Sequence, residues 1–180
     1  YSNGCGCGND TASERSMVRK LIVDNLLYWA EEYHIDGFRF DLVGLLDVDT
    51  ICRLEEALHS IRPDIVLYGE GWTMNTHFTK EVYPATQNYA FRTPRFAYFS
   101  DTIRNLLRGN NFDCSQKGYV NGAKAMADAL KSNILGAPHW APSPASVVNY
   151  ISCHDDLTLY DKYASNDPQA ERATIIAQCK

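Results

Sequence analysis

Three acids in this chain follow short apolar runs. Asp41 closes the run Asp36-Gly37-Phe38-Arg39-Phe40-Asp41, Glu70 sits inside Tyr68-Gly69-Glu70-Gly71-Trp72, and Asp155 follows Val147-Val148-Asn149-Tyr150-Ile151 through Ser152-Cys153-His154. Short apolar runs next to glycine read as buried strands, and acids at strand ends of an α/β protein gather at one edge of the sheet. Carboxylates collected in that way suit glycosidic bond cleavage. The retaining version needs two carboxyl groups roughly 5 to 5.5 Å apart, one attacking the anomeric carbon while the other protonates the leaving oxygen. Alternation along residues 37–41 puts Arg39 and Asp41 on one side and Phe38 and Phe40 on the other, so the fixed charge of Arg39 favours an ionised Asp41. Glu70 lies between Tyr68 and Trp72, where partial loss of water favours a protonated acid. Trp72 also offers a flat face to a sugar ring. On these residues alone blander roles stand beside the chemical ones: Asp41 as a structural partner of Arg39, Glu70 as a solvated loop acid, Asp155 as a cap or turn residue.

The elements that must position these acids follow from periodicity. Residues 1–10 hold glycine, asparagine and serine, the chemistry of a turn. Thr11-Ala12-Ser13-Glu14 has the pattern of a capping box, and Val18, Leu21, Ile22, Leu26, Trp29 and Tyr33 then recur at helical spacing, so a helix ending near His34 is predicted with Trp29 and Tyr33 in its core stripe. A strand over 37–41 comes next. Asp49 is the expected cap of a second helix that buries Ile51, Leu54, Leu58 and Ile61 and stops at Arg62-Pro63-Asp64. Residues 65–68 and 95–100 read as further strands, with Asp101 capping a helix over 102–108. Residues 109–122 read as loop, 123–135 as helix, 147–151 as a fourth strand, and a last helix is expected to open at Asp167-Pro168. Strands alternating with helices predict an α/β parallel sheet with function at its carboxyl edge, and four such strands are half of an eight-stranded barrel.

Composition narrows the partners. The chain has 180 residues, 45% of them hydrophobic, enough to bury a sizeable core in the length of one domain. A formal charge of -5 with 17 scattered Lys and Arg argues against a nucleic-acid or anionic-membrane surface and favours a neutral or cationic ligand. No apolar run reaches the roughly 20 residues that span a bilayer. Tyr1-Ser2-Asn3-Gly4 carries neither an initiator Met nor a signal-peptide pattern, and the last residues stop within a helical pattern, so an internal piece of a longer protein is expected. The six cysteines leave the compartment open; Cys5-Gly6-Cys7 reads as a glycine-rich turn rather than half a zinc site, since no second ligand pair accompanies it. Trp140, in Pro138-His139-Trp140-Ala141-Pro142, suits loop packing and sugar contact equally. His34, His59, His77 and His139 lack ligand-like spacing.

Taken together, the segments ending in Asp41, in Gly71-Trp72 and in His154-Asp155 resemble the second, third and fourth signature regions of the α-amylase superfamily, glycoside hydrolase family thirteen. Gly6-Cys7-Gly8-Asn9-Asp10, Tyr33-His34-Ile35-Asp36-Gly37 and Leu157-Thr158-Leu159-Tyr160-Asp161-Lys162 are similar to its type I pullulanase-like debranching branch. The resemblance covers nearly all of the chain. It implies a partial TIM (β/α)8 barrel, strands four to seven, with residues 1–180 as a fragment of the catalytic domain. It further implies cleavage of α-1,6 branch linkages in pullulan, limit dextrin or amylopectin, with Asp41 as nucleophile, Glu70 as general acid and base, and Asp155 binding sugar hydroxyls. Arg39, His154 and Trp72 would contact an α-glucan substrate. No cofactor or metal is implied by these residues, and calcium is not legible in them. Asp156-Leu157 stands where many relatives carry Asn-His or Asn-Leu, which alters the hydrogen bonding beside Asp155. The first signature region has no match and is expected upstream of Tyr1. Rival expectations are another superfamily member, such as a neopullulanase, isoamylase or branching enzyme, and a non-catalytic starch-binding protein on the same fold.

Overall fold

A computed structural model describes residues 2–180; Tyr1 lies outside them. The chain divides into two compact units, Tyr1–Phe99 with His139–Val148, and Ser100–Pro138 with Asn149–Lys180.

The first unit holds α1 (Ser16–Glu32), β1 (Gly37–Phe40), α2 (Val48–Ile61), β2 (Val66–Gly69), β3 (Ala97–Phe99) and β4 (Val147–Val148). Its four strands form one parallel sheet in the order β1-β2-β3-β4. The fold is therefore mixed α/β. Register is what matters for the site: Gly37 pairs with Val66 and Phe40 with Gly69, so Asp41 and Glu70 leave adjacent strands side by side. Behind the sheet Ile51, Leu54 and Leu58 of α2 are wholly buried, together with Val43, Phe96 and Tyr98, while Leu67 of β2 is 2% exposed. Ile51, Leu54 and Leu58 recur at helical spacing on α2, and burying each of them stabilises the fold by about 1.5 to 3 kcal/mol.

Several expectations need correction here. Helix α1 starts at Ser16 behind Arg15, which makes no side-chain cap, because Ser13 has another partner: its hydroxyl donates to Asp47 Oδ2 at 2.6 Å and accepts from the Asp47 amide at 2.9 Å. The buried face of α1 is Val23, Leu26, Leu27 and Ala30. Trp29 and Tyr33 lie on the outer side, 40% and 55% exposed, clustered with Tyr28. Their polar edges stay wet while their rings cover one another, which offsets the loss of core burial. Asp47, not Asp49, caps α2 by accepting from the Thr50 amide at 3.0 Å, and Ile61 is exposed in the last turn.

The second unit is helical, with α3 (Asp101–Arg108), α4 (Ala127–Asn133), α5 (Leu159–Asn166) and α6 (Arg172–Gln178). Ser100 rather than Asp101 caps α3. Helix α5 was not expected; Thr158 caps it by accepting from the Asp161 amide at 3.2 Å. Asp167-Pro168 forms a turn closed by Ala170 N–H on Asp167 O at 3.0 Å, and α6 opens later, at Arg172 behind Glu171. The fourth strand ends at Val148, and the Asn149 side chain donates to Ile134 O at 3.1 Å instead of joining the ladder.

Candidate active site

At the carboxyl end of β1 and β2, Arg39 forks between two acids. Its Nη1 donates to Asp41 Oδ1 at 2.7 Å and its Nη2 meets Glu70 Oε1 at 2.7 Å. One oxygen of Asp41 and one of Glu70 lie within 4.8 Å of each other. The sequence reading paired Arg39 with Asp41 alone. Its link to Glu70 comes from the parallel register, which brings the next strand's acid to the same side as the guanidinium.

Glu70 is held from several directions. Its amide donates to Phe40 O at 3.1 Å, its carbonyl accepts from Gly44 N–H at 3.2 Å, and its Oε2 accepts from Leu42 N–H at 3.0 Å. Leu42 presents that amide only because its backbone is left-handed, with φ 41° and ψ 44°. A leucine in that region is strained, and nothing in the local sequence marks it. Glycines complete the fit on both sides of Glu70. A Cβ on Gly44 would fall 2.1 Å from Trp72 O, and one on Gly71 would fall 2.3 Å from the Tyr98 ring. The side chains differ sharply in access: Asp41 is 68% exposed and Glu70 is 13% exposed. One acid is open to an incoming ligand and the other is sheltered. Trp72, two residues after Glu70, is half-buried.

His154 and Asp155 belong to the second unit, on an exposed turn where His154 Nε2 lies 3.5 Å from Asp155 Oδ2. Asp155 is also left-handed, with φ 63°. Fully buried Arg108 brackets this turn, donating to Ile151 O at 3.4 Å and Leu157 O at 3.1 Å. Asn111 donates to Asp156 Oδ1, so the residue that departs from the usual pattern has its own partner. Buried Lys162 donates to Asn110 O at 2.9 Å and Asp113 O at 2.6 Å, and burial first lowers its pKa. Arg108 was not singled out in the sequence and Lys162 only closed a stretch of family resemblance, since a cation that holds carbonyl oxygens leaves no spacing signature.

Trp140 and His59 lie against their neighbours. Trp140 stands edge-on to Tyr98, with ring centroids 6.3 Å apart, against the core. His59 is buried and its Nδ1 lies 2.8 Å from Glu55 O. Among the described residues, no group of three His, Cys, Asp or Glu ligands includes Cys5 or Cys7.

No family model matches the chain. Proteins do. A pullulanase of Bacillus subtilis (strain 168) is 41% identical over 174 residues, covering 93% of this chain and 24% of that protein. The chain is a homologue of part of the pullulanases. Among solved structures, pullulanase from Anoxybacillus sp. LM18-11 complexed with maltotetraose superposes with a TM-score of 0.95 at 41% identity, over 98% of this chain and 26% of that one. The type I pullulanase of Bacillus subtilis complexed with maltose gives 0.94 at 39% identity, covering 98% and 26%. The pullulanase-like chain thus spans about a quarter of the length of these relatives.

Proposed function

We propose that this chain carries the catalytic acids of a retaining glycoside hydrolase that cleaves α-1,6-glucosidic branch linkages in α-glucans such as pullulan. The observation that carries this reading is the approach of Asp41 and Glu70 within 4.8 Å across the Arg39 fork, close to the spacing that double displacement requires. Exposed Asp41 attacks the anomeric carbon while Glu70 passes a proton to the departing branch oxygen, and the glycosidic bond breaks. Water then attacks the glycosyl-enzyme ester, Glu70 takes the water proton, and Asp41 is released. Two inversions retain configuration. Arg39 keeps both side chains aligned, Asp155 and His154 hold sugar hydroxyls, and Trp72 stacks on a glucose ring.

The solved relative with bound maltotetraose supports an α-glucan ligand. The parallel strand order supports the reading of β1 to β4 as strands four to seven of a (β/α)8 barrel, with residues 1–180 inside one catalytic domain. The test is Glu70→Gln and Asp41→Asn in the full-length protein, with maltotriose release from pullulan as the readout. Loss of the acid should cost about 10²- to 10⁴-fold in turnover, and loss of the nucleophile should leave background only. Near-normal turnover in either variant removes that residue from the chemistry. Binding of pullulan without hydrolysis by the unaltered protein would instead favour a non-catalytic α-glucan binder.

A further inference from the structure

The proposed chemistry makes no use of Gly4-Cys5-Gly6-Cys7-Gly8, yet this stretch is a built loop. Asp10 is its hub, accepting the Gly4 amide at 3.0 and 2.9 Å and the Ser2 hydroxyl at 2.6 Å. Asn3 ties the far side, its Oδ1 accepting from Gly8 N–H at 2.9 Å and its carbonyl from Gly6 N–H at 3.3 Å. Gly6 at φ +78° and Gly8 at φ +128° bend the chain around the two cysteines in conformations that suit glycine. The base of the loop is close-packed: a Cβ on Gly4 would fall 2.9 Å from both the Leu45 side chain and Asn75 O. Leu45 lies in the 3-10 turn Val43–Leu45 that follows Asp41.

Inside this loop the two cysteines bond to one another. The Cys7 amide donates to Cys5 Sγ at 3.3 Å, and the Cys7 thiol turns back to Cys5 O at 3.8 Å. Both thiols are free, Cys5 half-buried and Cys7 exposed. The Cys7 thiol is held above its ordinary range, first by a hydrogen bond with the Cys5 thiol, then by the charge of Cys5, and to a smaller extent by Asp41. Both cysteines therefore belong to one hydrogen-bonded loop, whose base packs on Leu45.

We propose that Cys5 and Cys7 form a reversible redox site that closes to an intrachain disulfide with a disulfide oxidant such as oxidised glutathione. One cysteine thiolate attacks an oxidant sulfur, making a mixed disulfide and expelling one glutathione thiolate. The second cysteine then attacks the bound sulfur and displaces the other glutathione. Two protein thiols lose two electrons and two protons, and the oxidant's S–S bond takes them up as two thiols. Closure needs the two Cα atoms within about 4.4 to 6.8 Å, and the glycines flanking and separating the pair give the backbone that latitude. Because the loop rests on the turn after Asp41, closure slows the hydrolysis proposed above; that consequence rests on the proposed function, whereas the disulfide does not.

The experiment separates the two. The protein is equilibrated across ratios of oxidised to reduced glutathione, trapped by alkylation, and mapped by mass spectrometry. A Cys5–Cys7 link that appears with oxidant, disappears with dithiothreitol and is absent in Cys5→Ser is the expected result. Both cysteines alkylated, or each recovered as a glutathione adduct at every ratio, overturns the site. On pullulan the linked form should turn over several-fold more slowly and recover on reduction, while Cys5→Ser and Cys7→Ser keep full activity with or without oxidant. Equal turnover of linked and reduced protein overturns the regulatory consequence. Absence of pullulan cleavage by the reduced protein counts against the hydrolysis reading, and the mapped link alone then decides the redox site.

Discussion

Arg39 is the residue on which the candidate site turns. A planar guanidinium has two donors set to reach Asp41 and Glu70 at once, both at 2.7 Å. Lysine offers one point charge and would satisfy one acid at the expense of the other. Arg39→Lys should therefore lower kcat/KM on pullulan roughly 10- to 100-fold, the loss expected for one charge-assisted hydrogen bond to a carboxylate. Steady-state kinetics with intact secondary structure by circular dichroism checks it, and unchanged kinetics would show that the fork orients nothing. Arg39 and Asp41 were singled out in the sequence because they alternate along one strand, and Glu70 because it follows the next. Leu42 was not, since its left-handed backbone is imposed by the Glu70 carboxylate and the close approach of Gly44 to Trp72 O.

Elements owe their positions to polar contacts that cross long sequence distances. Ser13, Arg19 and Thr50 converge on buried Asp47, with Arg19 Nη2 at 2.8 Å, Thr50 Oγ1 at 2.6 Å and Ser13 Oγ at 2.6 Å, and so lock α1 to the start of α2. Burial works against the charge on Asp47, but the bonds from Ser13 and Thr50, with Arg19 beside them, outweigh it and hold the carboxyl below its ordinary range. Ser13→Ala removes the hydroxyl's bonds to the Asp47 carboxylate and from the Asp47 amide and should destabilise the fold by about 1 to 3 kcal/mol, the cost of leaving buried polar groups short of partners. Urea unfolding near neutral pH measures this. A change well under that range would mean water replaces the hydroxyl. The capping pattern around Ser13 was visible, yet its hydroxyl serves a residue 34 positions away, which no local pattern encodes. The Arg108 bracket on the Asp155 turn is the same kind of device in the second unit.

For the molecule as a whole, the pH dependence of stability should carry the mark of Glu55. This acid is 6% exposed on α2, and its Oε1 is buried without a hydrogen-bond partner. Burial pushes its pKa up to about 7 from an ordinary 4.5, against an opposing backbone hydrogen bond and charge from Arg95, with Glu56 adding repulsion. Cys52 on the same helix and Tyr98 on β3 also feel its charge. The folded chain then holds a proton that the unfolded chain releases. The associated stability is fully present below pH 4.5 and is lost as pH rises to about 7, on the order of 3 kcal/mol in all. Glu55→Gln should abolish that decline in a series of unfolding curves between those pH values. A slope that persists unchanged in the variant would assign the dependence to another group. Asp47 acts in the opposite sense, its contribution fading only as pH falls below the ordinary carboxyl range.

Periodicity and motif order were enough to announce alternating strands and helices, a parallel sheet, and Asp41 and Glu70 just past its first two strands, because each of those follows from neighbours within a few residues. Helix phase, caps and the last strand's length were misread wherever a distant partner claimed a side chain: Trp29 and Tyr33 turned outward, Asp47 displaced Asp49, and Asn149 left the sheet. Only the folded chain decided that Arg39 would join two acids from different strands. That outcome depends on register, and register is a collective property of paired backbones rather than of any one segment.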